Sequence, residues 1–439
     1  MDKRPVAPVM LSEMDYSQPN THVQAMIEKE WVQHVQPTAP VKQGHQLEFN
    51  IPAEYGLYRD LNNTTLDLQV KVTRDDGTAI ANTDVVAPVN YLMAALFKSV
   101  DVRLNGTNVN HTNQLYPFRA YMETLMSSSR DVLDTRGATM GWHKDDSSAM
   151  EVIALTDTSE VKANKGFVAR HGNIKGGKIL HLSARPHADI FHQPYLIPDN
   201  VDIRVTFNPN DSKFALLAAK NATFKVELLN ASLAVATKRG ADEVVGAHKQ
   251  ASESSDSVGH IIDMTKVLMN MHDISGSVVE IGSLVPGNVI PKRIALALVE
   301  TAAIGGSYEK NPFKFGNAKM TSLKVVAGGD SYPRDALQMD YASGNYTKAY
   351  LSTLRSLELD TGNRALPITP SEWAEGYNLH VIKLQPGPLD VEALGWSHKT
   401  GTCTANLSFS EAVTGYSLIV YAEVPSVIHI SPSGAVTQV

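Results

Sequence analysis

Along most of this chain apolar and polar residues alternate with a period of two, and no other feature narrows the choice of fold so far. Leu66, Leu68, Val70 and Val72 point one way while Asp67, Gln69, Lys71 and Thr73 point the other, the pattern of a strand with one face in a core and one in water. The same period recurs at Leu47, Phe49 and Ile51, at Val100, Val102 and Leu104, at Val201, Ile203, Val205 and Phe207, and at Phe224, Val226 and Leu228. It returns at Val278 and Glu280–Ile281, Leu323 and Val325, Leu407 and Phe409, and Leu418 and Val420. Asp76-Gly77, Asn105-Gly106, Pro198-Asp199-Asn200 and Gly328-Gly329 supply positive φ or a fixed proline φ where the chain must reverse. Many short strands with frequent reversals predict antiparallel β-sandwiches.

Two segments depart from this period. Leu115, Phe118, Met122, Leu125 and Met126 form one helical stripe, and Tyr346, Ala349, Tyr350, Leu354 and Leu357 form another. Each follows a hairpin, SVDVRLNGTNV or SLKVVAGGDSY, and each precedes strands that close on FKVELLNASLAVAT or YSLIVYAEVPSVIHI. The order occurs twice, which predicts two copies of one domain. The expected division is an N-terminal arm over 1–40, a first sandwich over 41–237, a linker over 238–262, a second sandwich over 263–431 and a tail over 432–439. The linker is read from its charge, its glycines and the cluster of Ser252, Ser254, Ser255 and Ser257. The simplest architecture is all-β, two tandem jelly rolls with short flanking helices. Periodicity leaves strand order open, so immunoglobulin-like sandwiches remain an alternative, although ~100 residues per domain is too short for these halves without large insertions.

Of 439 residues, 43% are hydrophobic and only 19% charged, against about 25% charged in soluble proteins generally. That excludes a disordered chain, and it suits a protein that covers much of its surface with copies of itself. Lysine and arginine number 39 against 46 aspartates and glutamates, a net charge of −7. This argues against a chain that wraps nucleic acid and predicts weak binding to duplex DNA. The single cysteine, Cys403, forbids an intrachain disulfide and suits a reducing compartment. The first residues lack the apolar core of a signal peptide. The longest apolar stretches, Tyr91–Phe97 and Ile294–Ile304, fall short of the ~20 residues that span a bilayer. A soluble chain outside the classical secretory route is expected.

Chemistry-bearing motifs are sparse. Gly172 to Lys178 carries the glycines and lysine of a phosphate loop, but Ile179 stands where a Ser or Thr should hold magnesium, and no parallel βαβ unit surrounds it. A surface loop is expected. His181, His187 and His192 are spaced by six and five residues, matching neither a helix face nor a strand face, which predicts structural or solvated histidines and no metal site. Asp75-Asp76 and Asp145-Asp146 are expected to be exposed turn carboxylates. Cys403, flanked by threonines, reads as a sheet residue, and no Gly-x-Ser-x-Gly elbow occurs. The tryptophans Trp31, Trp142, Trp373 and Trp396 are too scattered for a base-stacking platform. No catalytic, cofactor-binding or metal-binding residue is assigned, and no enzyme activity is expected.

The segments THVQAMIEKEWVQHVQP, LEFNIPAEYGLYRDLNNTTLDLQVKVTRDDGT, APVNYLMAALFKSVDVRLNGTNV and YPFRAYMETLM resemble the first half of the double jelly-roll major capsid proteins, or hexons, of Polinton and adintovirus type. HADIFHQPYLIPDNVDIRVTF, PGNVIPKRIALALVETAAIGGSYEKNPFKF, EGYNLHVIKLQPGP and LIVYAEVPSVIHI continue the resemblance to about Ile430. Asp131 to Lys178 and the serine-rich linker match less clearly and are candidate surface loops. The resemblance implies a virion protein that forms a homotrimer, tiles an icosahedral shell around double-stranded DNA, and meets neighbouring capsomers, penton and other minor capsid proteins. Contact with the genome is expected to be weak at most, with Lys3-Arg4 as a small candidate. The competing readings are a tandem jelly-roll glycan-acting hydrolase and a carbohydrate-binding protein.

Overall fold

A computed structural model describes residues 26–42, 44–253, 259–361, 364–386 and 399–438. The first half contains β1 (Ile27–Val35), β2 (Leu47–Ile51), β3 (Leu57–Arg74), β4 (Val86–Pro88), β5 (Phe97–Leu104), β6 (Thr107–His111), β7 (Ile179–Ala184), β8 (Ile203–Pro209), β9 (Leu216–Ala218) and β10 (Phe224–Gly240). Two four-stranded sheets, ordered β1-β10-β3-β7 and β2-β8-β5-β6, carry the fold, while β4 and β9 pair apart from them. Setting that small pair aside, one sheet takes the first, eighth, third and sixth strands and the other takes the second, seventh, fourth and fifth. This interleaving is a jelly roll.

The alternating residues seal it. Leu66, Leu68, Val70 and Val72 are no more than 2% exposed, and Phe207 meets Phe49 edge-on and Phe97 at a tilt, with centroids 6.0 and 5.1 Å away. Each such face stabilises at about 25 cal/mol per Å² of apolar surface removed from water. Asn105 and Gly106 both take positive φ, 45° and 84°, and close the β5–β6 hairpin as the Asn-Gly pair predicts.

The second half contains β11 (His260–Ile281), β12 (Arg293–Glu300), β13 (Met320–Ala327), β14 (Asp330–Gln338), β15 (Leu379–Lys383), β16 (Cys403–Ile430) and β17 (Val436–Gln438). All belong to one hydrogen-bonded ladder, yet the register resolves it into the same sandwich. Residues 260–274 of β11 pair with 416–430 of β16, whose segment 416–423 pairs with β12, which pairs with β15. Residues 278–281 of β11 pair with 405–408 of β16, whose N-terminal part pairs with β13, which pairs with β14. Here the first and second strands run on as one bent strand, and the seventh and eighth as another. The bends fall where register shifts around Gly276 (φ +99°) and beside Gly415 (φ +74°), positions where a side chain would strain the backbone. Val278, expected to face inward, is 73% exposed, because the bend interrupts the alternation at that residue.

Both helical stripes form helices in the same place, between the fifth and sixth strands of their sandwich: Tyr116–Ser127 and Thr347–Ser356. Phe118, Met122 and Leu125 are buried, as are Ala349 and Tyr350. Three segments differ from the sequence reading. Residues 27–35, read as part of an arm, form the edge strand β1 on β10, and residues 436–438 of the tail pair with β16. The polar stretch between the halves carries a helix, Asp242–Glu253, pinned by buried Val245 and by His248, whose Nδ1 lies 2.8 Å from the Tyr58 hydroxyl. Ser254, Ser255, Ser257, Lys3, Arg4 and Trp396 lie outside the described residues.

Candidate functional site

A cluster of buried charge sits where the two sandwiches meet. Arg119, on the Tyr116–Ser127 helix, is 1% exposed; its Nε donates to Glu123 Oε1 at 2.8 Å, one turn along, and its second terminal nitrogen donates to Asp189 Oδ1 at 2.7 Å. Burial alone would depress the guanidinium's pKa, but the Asp189 and Glu123 charges more than offset it and hold the group charged. Burial would likewise raise Glu123, yet Arg119 and His187 outweigh it and keep the carboxyl well below the usual range. Asp189 Oδ1 also accepts from the backbone amide of Val267 on β11, at 3.1 Å, so this network fastens the second half to the first.

From the other side, Arg293 of β12 forks onto Glu423 of β16 with both contacts at 2.7 Å, and the Tyr421 hydroxyl donates to Glu423 at 2.8 Å and faces Glu123 at 3.4 Å. A groove of about 700 Å³ runs between these groups, with His187 and His192 on its wall. Away from the groove the joint is also held by aromatic packing: the Tyr121 ring stacks on Phe313 at 4.3 Å. Beside it, Asn311 of the second half donates to Asp145 Oδ2 at 3.2 Å and to the Met150 carbonyl at 3.1 Å. Lys144 reaches Glu372 at 2.7 Å and Asn105 donates to the Gly434 carbonyl at 2.8 Å. Buried ionic pairs add little net stability but fix geometry, because any arrangement that parts them strands a desolvated charge. Here each buried pair lies within one sandwich, Arg119 with Glu123 and Asp189 in the first and Arg293 with Glu423 in the second. What holds the two sandwiches at one angle is the set of contacts between them: the Val267 and Tyr421 hydrogen bonds to Asp189 and Glu123, the Asn311–Asp145 bond, the Lys144–Glu372 pair and the Tyr121–Phe313 stack.

The residues weighed from sequence scatter around this joint. Asp145 corrects the reading of an exposed turn: it is 2% exposed, and its Oδ1 accepts from Arg170 at 2.6 Å and from Asn164 at 2.8 Å. Arg170 lies in the poorly matched stretch and supplies the charge that lets Asp145 enter the core. Asp146 and Asp76 stay near the surface, Asp146 accepting from the Lys165 amide at 3.0 Å and Asp76 from the Thr78 amide at 2.8 Å. The glycine-lysine motif is only partly the expected surface loop: Gly172 to Ile174 form the last turn of the helix Lys165–Ile174, with Ile174 fully buried, and Lys175 to Lys178 make the loop that leads into β7. A phosphate cradle needs the helix after the loop, so the order here is reversed. Cys403 is buried in β16, and burial pushes its thiol up to about 11, away from nucleophilic use. Trp142 and Trp373 are core residues, whereas Trp31 on β1 is 39% exposed.

The histidines divide. His181 is exposed on β7, while His187 and His192 approach Glu123 so closely that one ligand atom from each of the three lies within 4.8 Å of the others. Sequence spacing missed this grouping because it is made by the turn at Asp189–His192 folding back toward a helix far away in the chain. The available signal was Arg119 and Glu123, four residues apart, set among the apolar residues of a helical stripe.

No helix among the described residues is long and apolar enough to cross a membrane. No protein-family model matches the chain. An uncharacterized protein of Caenorhabditis elegans, F54H12.2, is 22% identical over 387 residues, covering 83% of this chain and 86% of that one. Among solved structures, a chain of the Sputnik virophage aligns with a TM-score of 0.60 at 11% identity, covering 99% of this chain and 93% of the other. The Faustovirus major capsid protein aligns at 0.56 and 10% identity over 95% and 93%, and the mavirus major capsid protein at 0.53 and 10% identity over 100% and 97%. The fold defines the class: the chain is a double jelly roll, the architecture of these viral major capsid proteins.

Proposed function

We propose that this chain is a viral major capsid protein whose work is tiling. Three copies form a capsomer of six jelly rolls, and capsomers cover an icosahedral shell around a double-stranded DNA genome in the virion. The observation that carries this reading is the repetition of one strand order in two sandwiches joined by buried hydrogen bonds and an aromatic stack. Two similar lobes at a fixed angle let threefold assembly imitate sixfold packing, while the differences between lobes decide which edge meets which neighbour. The edge strand β1 supports it, since Trp31 and Val32 stand 39% and 54% exposed on a strand with little burial on either face. A neighbouring chain would cover them. Penton and minor capsid proteins would meet the outer edges of the tile, with no covalent chemistry required of this chain.

Light scattering and electron microscopy of the purified protein test the proposal. The expected result is a mass near three times 47.7 kDa, with pseudo-hexagonal particles that assemble further. A stable monomer that retains or cleaves glycans would replace this reading with that of a carbohydrate-acting protein.

A further inference from the structure

Glu123 divides its two oxygens between two tasks. Oε1 is taken by Arg119 at 2.8 Å and by the Tyr421 hydroxyl at 3.4 Å, whereas Oε2 meets His187 Nδ1 at 2.6 Å. Arg119 is matched by Asp189 as well, so its charge does not require Oε2. The other nitrogen of His187, Nε2, lies 2.6 Å from the buried Tyr91 hydroxyl, which fixes the ring's orientation as outer partners do for metal-bound imidazoles. His192 lies beside His187 with ring centroids 5.5 Å apart and planes tilted by 33°, and is exposed toward the groove.

From this arrangement we propose that Glu123 Oε2, His187 and His192 bind one divalent transition-metal ion of the zinc type. Two imidazole nitrogens and one carboxylate oxygen select zinc or a related first-row metal over calcium and magnesium, which favour all-oxygen shells. The groove leaves the fourth position to water. The ion takes the place of the proton shared by His187 Nδ1 and Glu123 Oε2, and that proton leaves to solvent. Ligand atoms around tetrahedral zinc stand roughly 3.3 Å apart, so the 2.6 Å pair must open and the His192 ring must swing inward, both small side-chain rotations. Because the ligands come from the Tyr116–Ser127 helix, the segment after β7 and the Asp189–His192 turn, beside the Val267 contact, the bound ion stiffens the face of the first sandwich on which the second rests.

The test uses the full chain stripped with a chelator and titrated with zinc chloride by calorimetry, with calcium chloride as the comparison. One zinc per chain is expected, bound in the micromolar range or tighter, with no calcium uptake at the same concentrations. H192A, which removes an exposed side chain, should weaken zinc by roughly tenfold or more while leaving the circular dichroism spectrum unchanged. H181A should bind as the unmodified chain does. Absence of saturable zinc uptake, or uptake indifferent to H192A, would overturn the assignment. Each outcome is read on the unassembled protein and is independent of whether it tiles.

Discussion

The ring of Tyr121 lies on that of Phe313 with centroids 4.3 Å apart and planes 8° from parallel, and through this pair the helix of the first sandwich is stacked against the second. Phe118 and Phe214 approach the same Phe313 ring edge-on at 6.1 Å. One aromatic side chain of the second half thus fills a socket made by the first. Phe313→Ala should cost about 3–5 kcal/mol, the range for emptying a large buried site, and the loss should fall on the joint. Scanning calorimetry is expected to show a lower melting temperature and two separated transitions. An unchanged profile would mean that the halves do not melt through this contact.

Leu125 is fully buried on the same helix. Leu125→Asp places a carboxylate with no counter-ion in that position, a change costing several kcal/mol, whereas Leu125→Ala removes volume and should cost about 2–5 kcal/mol. Soluble yield and urea unfolding should rank the unmodified chain above the alanine variant and the alanine variant above the aspartate one. A soluble aspartate variant of ordinary stability would remove this helix from the core.

The sandwiches were legible because alternation at Leu66 to Val72 and the Asn105-Gly106 turn are local facts, and the duplication was legible because both helices follow a hairpin. Three things were not. The fused strands β11 and β16 hide their corners at Gly276 and Gly415, where a single glycine, between Ser275 and Ser277 or between Thr414 and Tyr416, interrupts a strand pattern without the proline or Asn-Gly pair that marks a chain reversal. Asp145 looked solvated beside Asp146, since its partner Arg170 is 25 residues away and only the fold brings them to 2.6 Å. The same holds for Glu123 with His187, 64 residues apart. Periodicity reports which face a residue takes; it is silent on which distant group waits there.

Asp145 accepts from Arg170, Asn164 and Asn311, and its backbone carbonyl accepts from the Tyr377 hydroxyl at 2.9 Å. Asp145→Ala would strand the Arg170 guanidinium, also 2% exposed, and breaking such a pair from one side costs about 3–5 kcal/mol. Asp145→Asn keeps the shape and should lose less. Combining Asp145→Ala with Arg170→Met should recover part of the loss, because no unpaired charge then remains. Chemical denaturation of the three variants measures the order, and a double variant less stable than Asp145→Ala alone would contradict it.

His380 gives the protein a dependence on pH. Its ring is 2% exposed and packs edge-on against Trp373 at 4.9 Å. The Asn378 amide nitrogen donates to Tyr341 at 3.1 Å and to the Trp373 carbonyl at 3.2 Å, so the Asn378 oxygen, 3.0 Å from His380 Nε2, accepts from it. Nδ1 is then the bare nitrogen, and among the described residues it has no hydrogen-bond partner. Burial pushes the imidazole down to about 3, since a proton on Nδ1 would place a charge in an apolar core. In the unfolded chain the same ring takes up a proton near pH 6.5. Between those values the unfolded state binds more protons, so stability falls as pH drops from about 6.5 toward 3, by up to about 1.4 kcal/mol per pH unit. Above about pH 6.5 the ring is neutral in both states and contributes no slope. Urea unfolding at pH 7 and pH 4.5 should therefore show a steeper loss for the unmodified chain than for His380→Gln, which cannot titrate. Parallel losses in the two proteins would place the acid sensitivity elsewhere.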